Sequence, residues 1–235
     1  YAKKLGLKRN PPRHRRKNHE TGIRALKPNQ IWHADVTCFT LKNGLKSFLY
    51  FITDNFSRRI LSWKISLKLS HEISLENLHE AYTKFRHLNP DPSIDYIVDG
   101  GSENNNSLIN HWPPILSEDI RKLIAQQSIR FSNSMAESTN RIMKYVYLYH
   151  QDFDDFNDLQ KYLEFAVKNH NEDRFHHQLN GLTPKEAFEG KTFDKTENTK
   201  QIRDANRIRL EINRKTPCPV CDDVKNITDS ADLIR

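Results

Sequence analysis

Three acidic residues stand in surroundings that give them chemical potential. Asp35 lies in the middle of IWHADVTCFT, residues 31–40, a run whose β-branched and aromatic residues read as a strand. A lone carboxylate in a buried strand costs several kcal/mol of desolvation unless a cation or hydrogen bonds compensate it, so it is either paired or put to use. Asp99 follows IDYIV and opens the loop DGGSENNN. Strand C-termini are where α/β sheets place reactive groups, and Gly100 and Gly101 remove side-chain bulk that would keep a phosphate backbone away. Taken alone, Asp99 reads first as a turn residue, because Asp and Gly populate turns for local hydrogen-bonding reasons. Glu137 sits in FSNSMAESTNRIMKYVYLY near the start of a helix, where the dipole favours a negative group. Arg141 and Lys144, four and seven positions later, share its face, with Asn140 beside them. The ordinary reading is a Glu137–Arg141 surface pair, which contributes a few tenths of a kcal/mol. The sharper one is a metal-binding acid followed by a strip that grips phosphates. If the fold gathers the three acids, their all-oxygen ligand set selects Mg²⁺ or Mn²⁺ over zinc.

The elements needed to position them can be read from periodicity. IWHADVTCFT is a strand, Asn43-Gly44 signals a hairpin, LKSFLYFITD returns, and RRILSWKIS follows the turn DNFS. Ser70 caps a helix whose Leu75, Leu78, Tyr82 and Phe85 fall at helical spacing. IDYIV is a short buried strand. The pattern then predicts a helix from about Ser117 to Gln127, a short strand near SIRFS, and a long helix beginning near Met135. This order makes an α/β domain with a mixed five-stranded sheet flanked by helices.

Composition limits the possible roles. The 235 residues are 36% hydrophobic, enough for a real core. The longest apolar run, FLYFI at 48–52, is far short of the roughly 20 residues that span a bilayer, so no membrane role is expected. Three cysteines form no disulfide framework and no secretory h-region opens the chain, which points to a cytoplasmic, reducing setting. The first residue is Tyr rather than Met, as in a fragment or processed chain. Residues 1–29 hold ten Lys and Arg against one Glu, a net +9, which leaves −2 for the other 206 residues. That segment, with Arg13, Arg15, Arg16 and Lys17 in NPPRHRRKNH, reads as a basic arm or linker suited to tracking phosphates. The compact core is expected over 30–190 and a basic tail over 191–235. In that tail, residues 200–215 carry six cations and two acids, and a helix there either grips DNA or is a solvated face.

Together, PNQIWHADVT, IVDGGSEN, FSNSMAESTNRIMK and RFHHQLNGLTPKEAF resemble the insertion-sequence transposases with a retroviral-integrase-type catalytic core, the DDE superfamily of the ribonuclease H-like fold. The resemblance covers about residues 28–190. Sixty-three residues separate Asp35 from Asp99 and 37 separate Asp99 from Glu137. The second interval is slightly longer than the family's commonest one and reads as a surface insertion around HWPPIL. Phe175 stands where the family has Pro, a departure expected to touch packing rather than chemistry. The resemblance implies that Asp35, Asp99 and Glu137 are catalytic metal ligands. It also implies that the partners are DNA, as element ends and as target, with a homo-oligomer in the synaptic complex.

The chemistry also follows from charge. Three carboxylates and a scissile phosphate carry a formal charge of about −4, which two divalent ions would neutralise. Two such ions about 3.5–4 Å apart can activate an attacking oxygen and stabilise the leaving one in an in-line displacement at phosphorus. The expected activity is cleavage and joining of DNA strands. A nuclease that only hydrolyses and a domesticated, inactive DNA-binding protein are the alternatives. Asp54 reads as a turn former, His33 as a structural hydrogen-bonding group, Trp32 and Trp63 as core, and Glu103 as a contact to solvent or DNA. His176 and His177 are expected to pack or hydrogen-bond near a helix end. Cys218 and Cys221 in CPVC supply at most half a zinc site.

Overall fold

The computed structural model describes residues 23–88, 93–101, 104, 106–125 and 133–192. Five strands form one sheet of order β3-β2-β1-β4-β5: β1 Ile31–Thr40, β2 Lys46–Asp54, β3 Ile60–Ser66, β4 Ile94–Val98 and β5 Ile120–Ile124. The first three are antiparallel, while β4 runs parallel to both β1 and β5, so the sheet is mixed. The β1–β2 hairpin turns at Asn43-Gly44, where Gly44 takes φ +82°, a conformation that L side chains rarely adopt.

Strand alternation sends two sets of side chains to opposite faces. Trp32, Ala34, Ile52, Tyr96 and Val98 pack with Leu78 and Ala81 of α1, His71–Phe85. Phe39, Leu49 and Phe51 pack instead with Met143 and Leu148, which follow α4, Ser134–Ile142, and with Leu159 and Leu163 of α5, Phe156–Glu172. Side chains at the odd positions of β1 and β4 therefore face α4. Ser70 caps α1 by accepting from the Glu72 N–H, as its type and position predict.

Residues 143–148 continue α4 as one π-helical segment. Further on, Asn171 clamps Ile60 of β3 through both its N–H and its C=O, each at 2.9 Å. Thr183 caps the last short helix, Pro184–Phe188, in a reciprocal Thr183–Glu186 box. The Arg59 guanidinium lies over the rings of Phe85 and Phe188, at 5.1 and 4.9 Å, tying this segment to the α1 side.

Three expectations need correction. The helix predicted over 117–127 is replaced by β5, because Ile120 is fully buried on the sheet and Arg121 makes a bidentate pair with Asp95 of β4 at 2.7 and 2.8 Å. The helical turns come earlier, as α2, Ser107–Asn110, and as α3, Pro113–Leu116, with proline at its start. HWPPIL is not merely a surface insertion, since Trp112 and Ile115 pack against the α1-side core. Phe175 is 71% exposed, so its substitution for Pro touches little packing. The strand expected near SIRFS, Glu103, the arm residues Arg13, Arg15, Arg16 and Lys17, the basic tail segment and Cys218 and Cys221 lie outside the described residues. Among the described residues, no helix is long and apolar enough to cross a membrane.

Candidate active site

The last register pair of the parallel strands β1 and β4 is Ala34 with Val98, so Asp35 and Asp99 stand one residue further on neighbouring strands. Both lie on the odd-numbered face that α4 covers. Asn133, the residue that precedes α4, joins the two strands by donating its amide to the Ala34 carbonyl at 3.1 Å and to Asp99 Oδ1 at 2.8 Å. Asn140, near the other end of α4, donates to Asp35 Oδ2 at 2.6 Å, and the Val36 N–H donates to Asp35 Oδ1 at 2.8 Å.

Glu137 stands four residues after Asn133 and three before Asn140. At 3.6 residues per turn those three side chains share a helix face, and both flanking amides end on the other two acids. Glu137 itself is exposed. Among the described residues no ion pair joins it to Arg141, which disposes of the surface-pair reading. Arg141 is exposed and Lys144 half-buried, further along the same helix. Asn140, which the sequence placed on the DNA-facing strip, is only 8% exposed and its amide is committed to Asp35.

The supporting residues are also placed. His33 is buried, with Nδ1 2.9 Å from Asn133 Oδ1 and Nε2 2.9 Å from the Asn55 amide nitrogen. Its partners are amides, and burial pushes its pKa down to about 4. Asp54 is the turn former the sequence suggests: it accepts from the Asn29 N–H and from both the N–H and the hydroxyl of Ser57. Burial raises its carboxyl to about 6, with those hydrogen bonds opposing the shift. Trp32 is fully buried, Trp63 packs on the α5-side core, and His176 meets His170 at the end of α5, ring centroids 5.0 Å apart.

Divalent cations fit the oxygen donors found here. Among the described residues Asp99 pairs with no cation and is bonded only to an amide, and Asn140 Oδ1 lies buried without a hydrogen-bond partner beside Asp35. Also among the described residues, no three His, Cys, Asp or Glu side chains are drawn together closely enough to hold a metal ion by themselves. The structure thus brings two acids side by side and places the third on the helix face above them. Sequence reading missed the roles of Asn133 and Asn140, although their i−4 and i+3 spacing about Glu137 was the available signal.

This sheet order, with helices on both faces, is the ribonuclease H-like α/β class. Two family models, each described as integrase core domain, match residues 25–137 and 120–184, and between them they take in the span 25–184. A relative from Mycobacterium tuberculosis (strain CDC 1551 / Oshkosh), assigned as the transposase for insertion sequence element IS986/IS6110, is 24% identical over 119 residues. That match takes in 50% of this chain and 42% of the relative, so the chain spans less than half of the relative's length. Among solved structures, a chain of the simian T-cell lymphotropic virus intasome in complex with PP2A regulatory subunit B56 gamma superposes with a TM-score of 0.60 at 22% identity. It covers 78% of this chain and 62% of the viral one. The HTLV-2 integrase catalytic core in complex with magnesium, in its trimeric form, gives 0.53 at 22% identity over 70% of this chain and 99% of that one. The catalytic core of BIV integrase gives 0.51 at 15% identity, over 74% and 99%.

Proposed function

We propose that the chain is a DNA transposase that cuts and joins strands through Asp35, Asp99 and Glu137. One observation carries this reading: Asp35 in the middle of β1 and Asp99 just past the end of β4 both follow the last pair of these neighbouring parallel strands, and each is held by an amide, Asn140 and Asn133 respectively, one helical turn to either side of Glu137. Two Mg²⁺ or Mn²⁺ ions bound by the three acids would supply activation of the attacking oxygen and charge stabilisation of the leaving one. The protein's own contribution is rigidity and electrostatics. Asp35 is fixed mid-sheet, and the Val36 N–H and the Asn140 amide hold its two oxygens in orientation. Arg141 and Lys144 continue the face of Glu137 and suit phosphates flanking the scissile one. The basic arm with Arg13, Arg15, Arg16 and Lys17 adds phosphate contacts at longer range.

The reaction has two balanced steps. Water attacks a phosphodiester at the element end: a new P–O bond forms, the bond to the 3′-oxygen breaks, and a free 3′-hydroxyl is left. That hydroxyl then attacks a target phosphodiester, exchanging one P–O bond for another without an external energy source. The magnesium complex of the HTLV-2 core and the transposase assignment of the mycobacterial relative support this reading of cofactor and substrate. The trimeric and dimeric forms of the HTLV-2 core support a homo-oligomer as the working unit, here a DNA-associated one. A strand-transfer assay with labelled element ends, target DNA and Mg²⁺ tests the proposal, with joined product expected. Nicks alone would identify a hydrolysis-only nuclease, and binding without cleavage an inactive DNA-binding protein.

A further inference from the structure

The hydrogen bonds behind Asp99 can be oriented unambiguously. Asn55 accepts the Ala25 N–H on Oδ1 at 2.8 Å and donates Nδ2 to the Ile23 carbonyl at 3.1 Å. Backbone N–H can only donate and C=O only accept, so the Asn55 amide has one orientation. The same Nδ2 therefore donates to His33 Nε2, 2.9 Å away. A neutral imidazole whose Nε2 accepts carries its proton on Nδ1. That Nδ1–H donates to Asn133 Oδ1 at 2.9 Å. The far end agrees independently: the Ala34 carbonyl can only accept, which turns Asn133 Nδ2 toward it and toward Asp99 and leaves Oδ1 facing His33. Asn55, His33 and Asn133 are all at most 4% exposed, so no water competes for these bonds at low cost.

We propose that His33 and Asn133 are positioning residues that, through the directed chain Asn55→His33→Asn133→Asp99, fix which oxygen of Asp99 is held back by an amide and which is presented to metal. This rests on the reading of Asp99 as a metal ligand. A carboxylate next to a strand end has free rotation about its side-chain bonds. An amide locked on Oδ1 removes that freedom and leaves Oδ2 as the outward donor. The chain begins at backbone groups of residues 23 and 25, where the basic segment enters the core, and it crosses from β2 through β1 to the start of α4. It thus makes the geometry of Asp99 depend on the docking of that entry segment as well as on the sheet.

Two replacements of His33 separate positioning from bulk stability. In His33→Asn the amide nitrogen stands where Nδ1 stood and can still donate to Asn133. In His33→Gln the amide reaches the place of Nε2, keeps the Asn55 contact and loses the Asn133 one. Each loses one buried hydrogen bond, so the two should melt alike. Mn²⁺ binding to the full chain without DNA, read from the free-ion EPR signal, should weaken about 10–100-fold in His33→Gln and Asn133→Ala, the usual scale for partners of metal ligands. It should change little in His33→Asn. Asp99→Asn is the control for the underlying reading. If Asp99→Asn binds Mn²⁺ as tightly as the native chain, Asp99 is no ligand and both readings fall. If Asp99→Asn is impaired but the two His33 variants bind equally, the triad stands and the positioning role falls. Should the variants fail to fold, ¹⁵N spectra of the native chain decide: His33 is expected as the Nδ1–H tautomer, and an Nε2–H tautomer overturns the proposal.

Discussion

At the scale of single residues, charge and shape can be separated by isosteric substitution. Asp35→Asn, Asp99→Asn and Glu137→Gln each remove a metal-binding charge and keep the side-chain outline. Each should lower cleavage by about 10²-fold or more, the scale of losing one preorganised electrostatic contact to a transition state, with thermal melts near those of the native chain. A normally folded variant that cuts at the native rate would remove its residue from the site. Asp35 stands out in the sequence as a candidate because an ionisable group inside an apolar strand conflicts with its surroundings, whereas Asp99 and Glu137 gain weight only beside it. The amides do not stand out. Asn133 and Asn140 are unremarkable residues in a polar stretch; their spacing about Glu137 gives a shared helix face, and the tertiary approach of α4 to the middle of β1 and the end of β4 shows that they bind Asp99 and Asp35. His33 was legible as a structural hydrogen-bonding group, but its partners, one from the β2 turn and one from the start of α4, lie 22 and 100 residues away.

At the scale of elements, helical periodicity located α1 because it buries one face, while β1 and β4 were found from their β-branched and aromatic runs, which are buried at consecutive positions. Periodicity failed at 120–124, where the IRKLI run has only Ile120 buried and its register is set by pairing with β4 and by the Asp95–Arg121 bond across the strands. A five-residue strand with one buried side chain carries too little local signal to outweigh a helical reading. The end of α5 is held to the β2–β3 turn by His170, whose Nε2 lies 3.1 Å from the Arg58 carbonyl. That nitrogen must be the protonated one, and burial depresses the pKa to about 4 from 6.5. Above pH 6.5 His170 is neutral in both folded and unfolded chains, and its contribution is fully present. As pH falls through 6.5 toward 4, the unfolded chain takes up a proton that the fold refuses, so stability is lost, up to about 3 kcal/mol for this group. Asp54 acts in the opposite sense: raised to about 6, it binds a proton in the folded chain first and stabilises as pH falls. His170→Gln isolates the first effect, since the Gln amide can still donate to Arg58. Its melting temperature should match the native one near pH 7 and fall less between pH 7 and pH 4.5. Equal losses in both chains would mean that His170 is not buried in its neutral form.

At the scale of the whole molecule, the charge is segregated, with +9 in residues 1–29 and −2 in the rest. An acidic core that must accept a polyanion next to its own carboxylates gains from cations carried on a separate segment, because phosphate neutralisation releases condensed counterions whatever the DNA sequence. The fold also says where such a segment can be cut. Ala25 and Asn29 donate their N–H groups to Asn55 and Asp54, so residues 23–29 belong to the support of β1 and should be retained. Removing residues 1–22 takes away eight Lys and Arg and one Glu and leaves that support intact. The slope of log affinity against log salt should become shallower by several units, since each phosphate contact on duplex DNA contributes about −0.9. Arg141→Ala, one turn beyond Glu137, should reduce it by about one unit in the same titration. Both losses should be alike for element ends and unrelated DNA, because phosphate contacts carry no base information. An unchanged slope after truncation would mean that the arm does not touch phosphates, and a loss confined to element ends would instead assign it base readout.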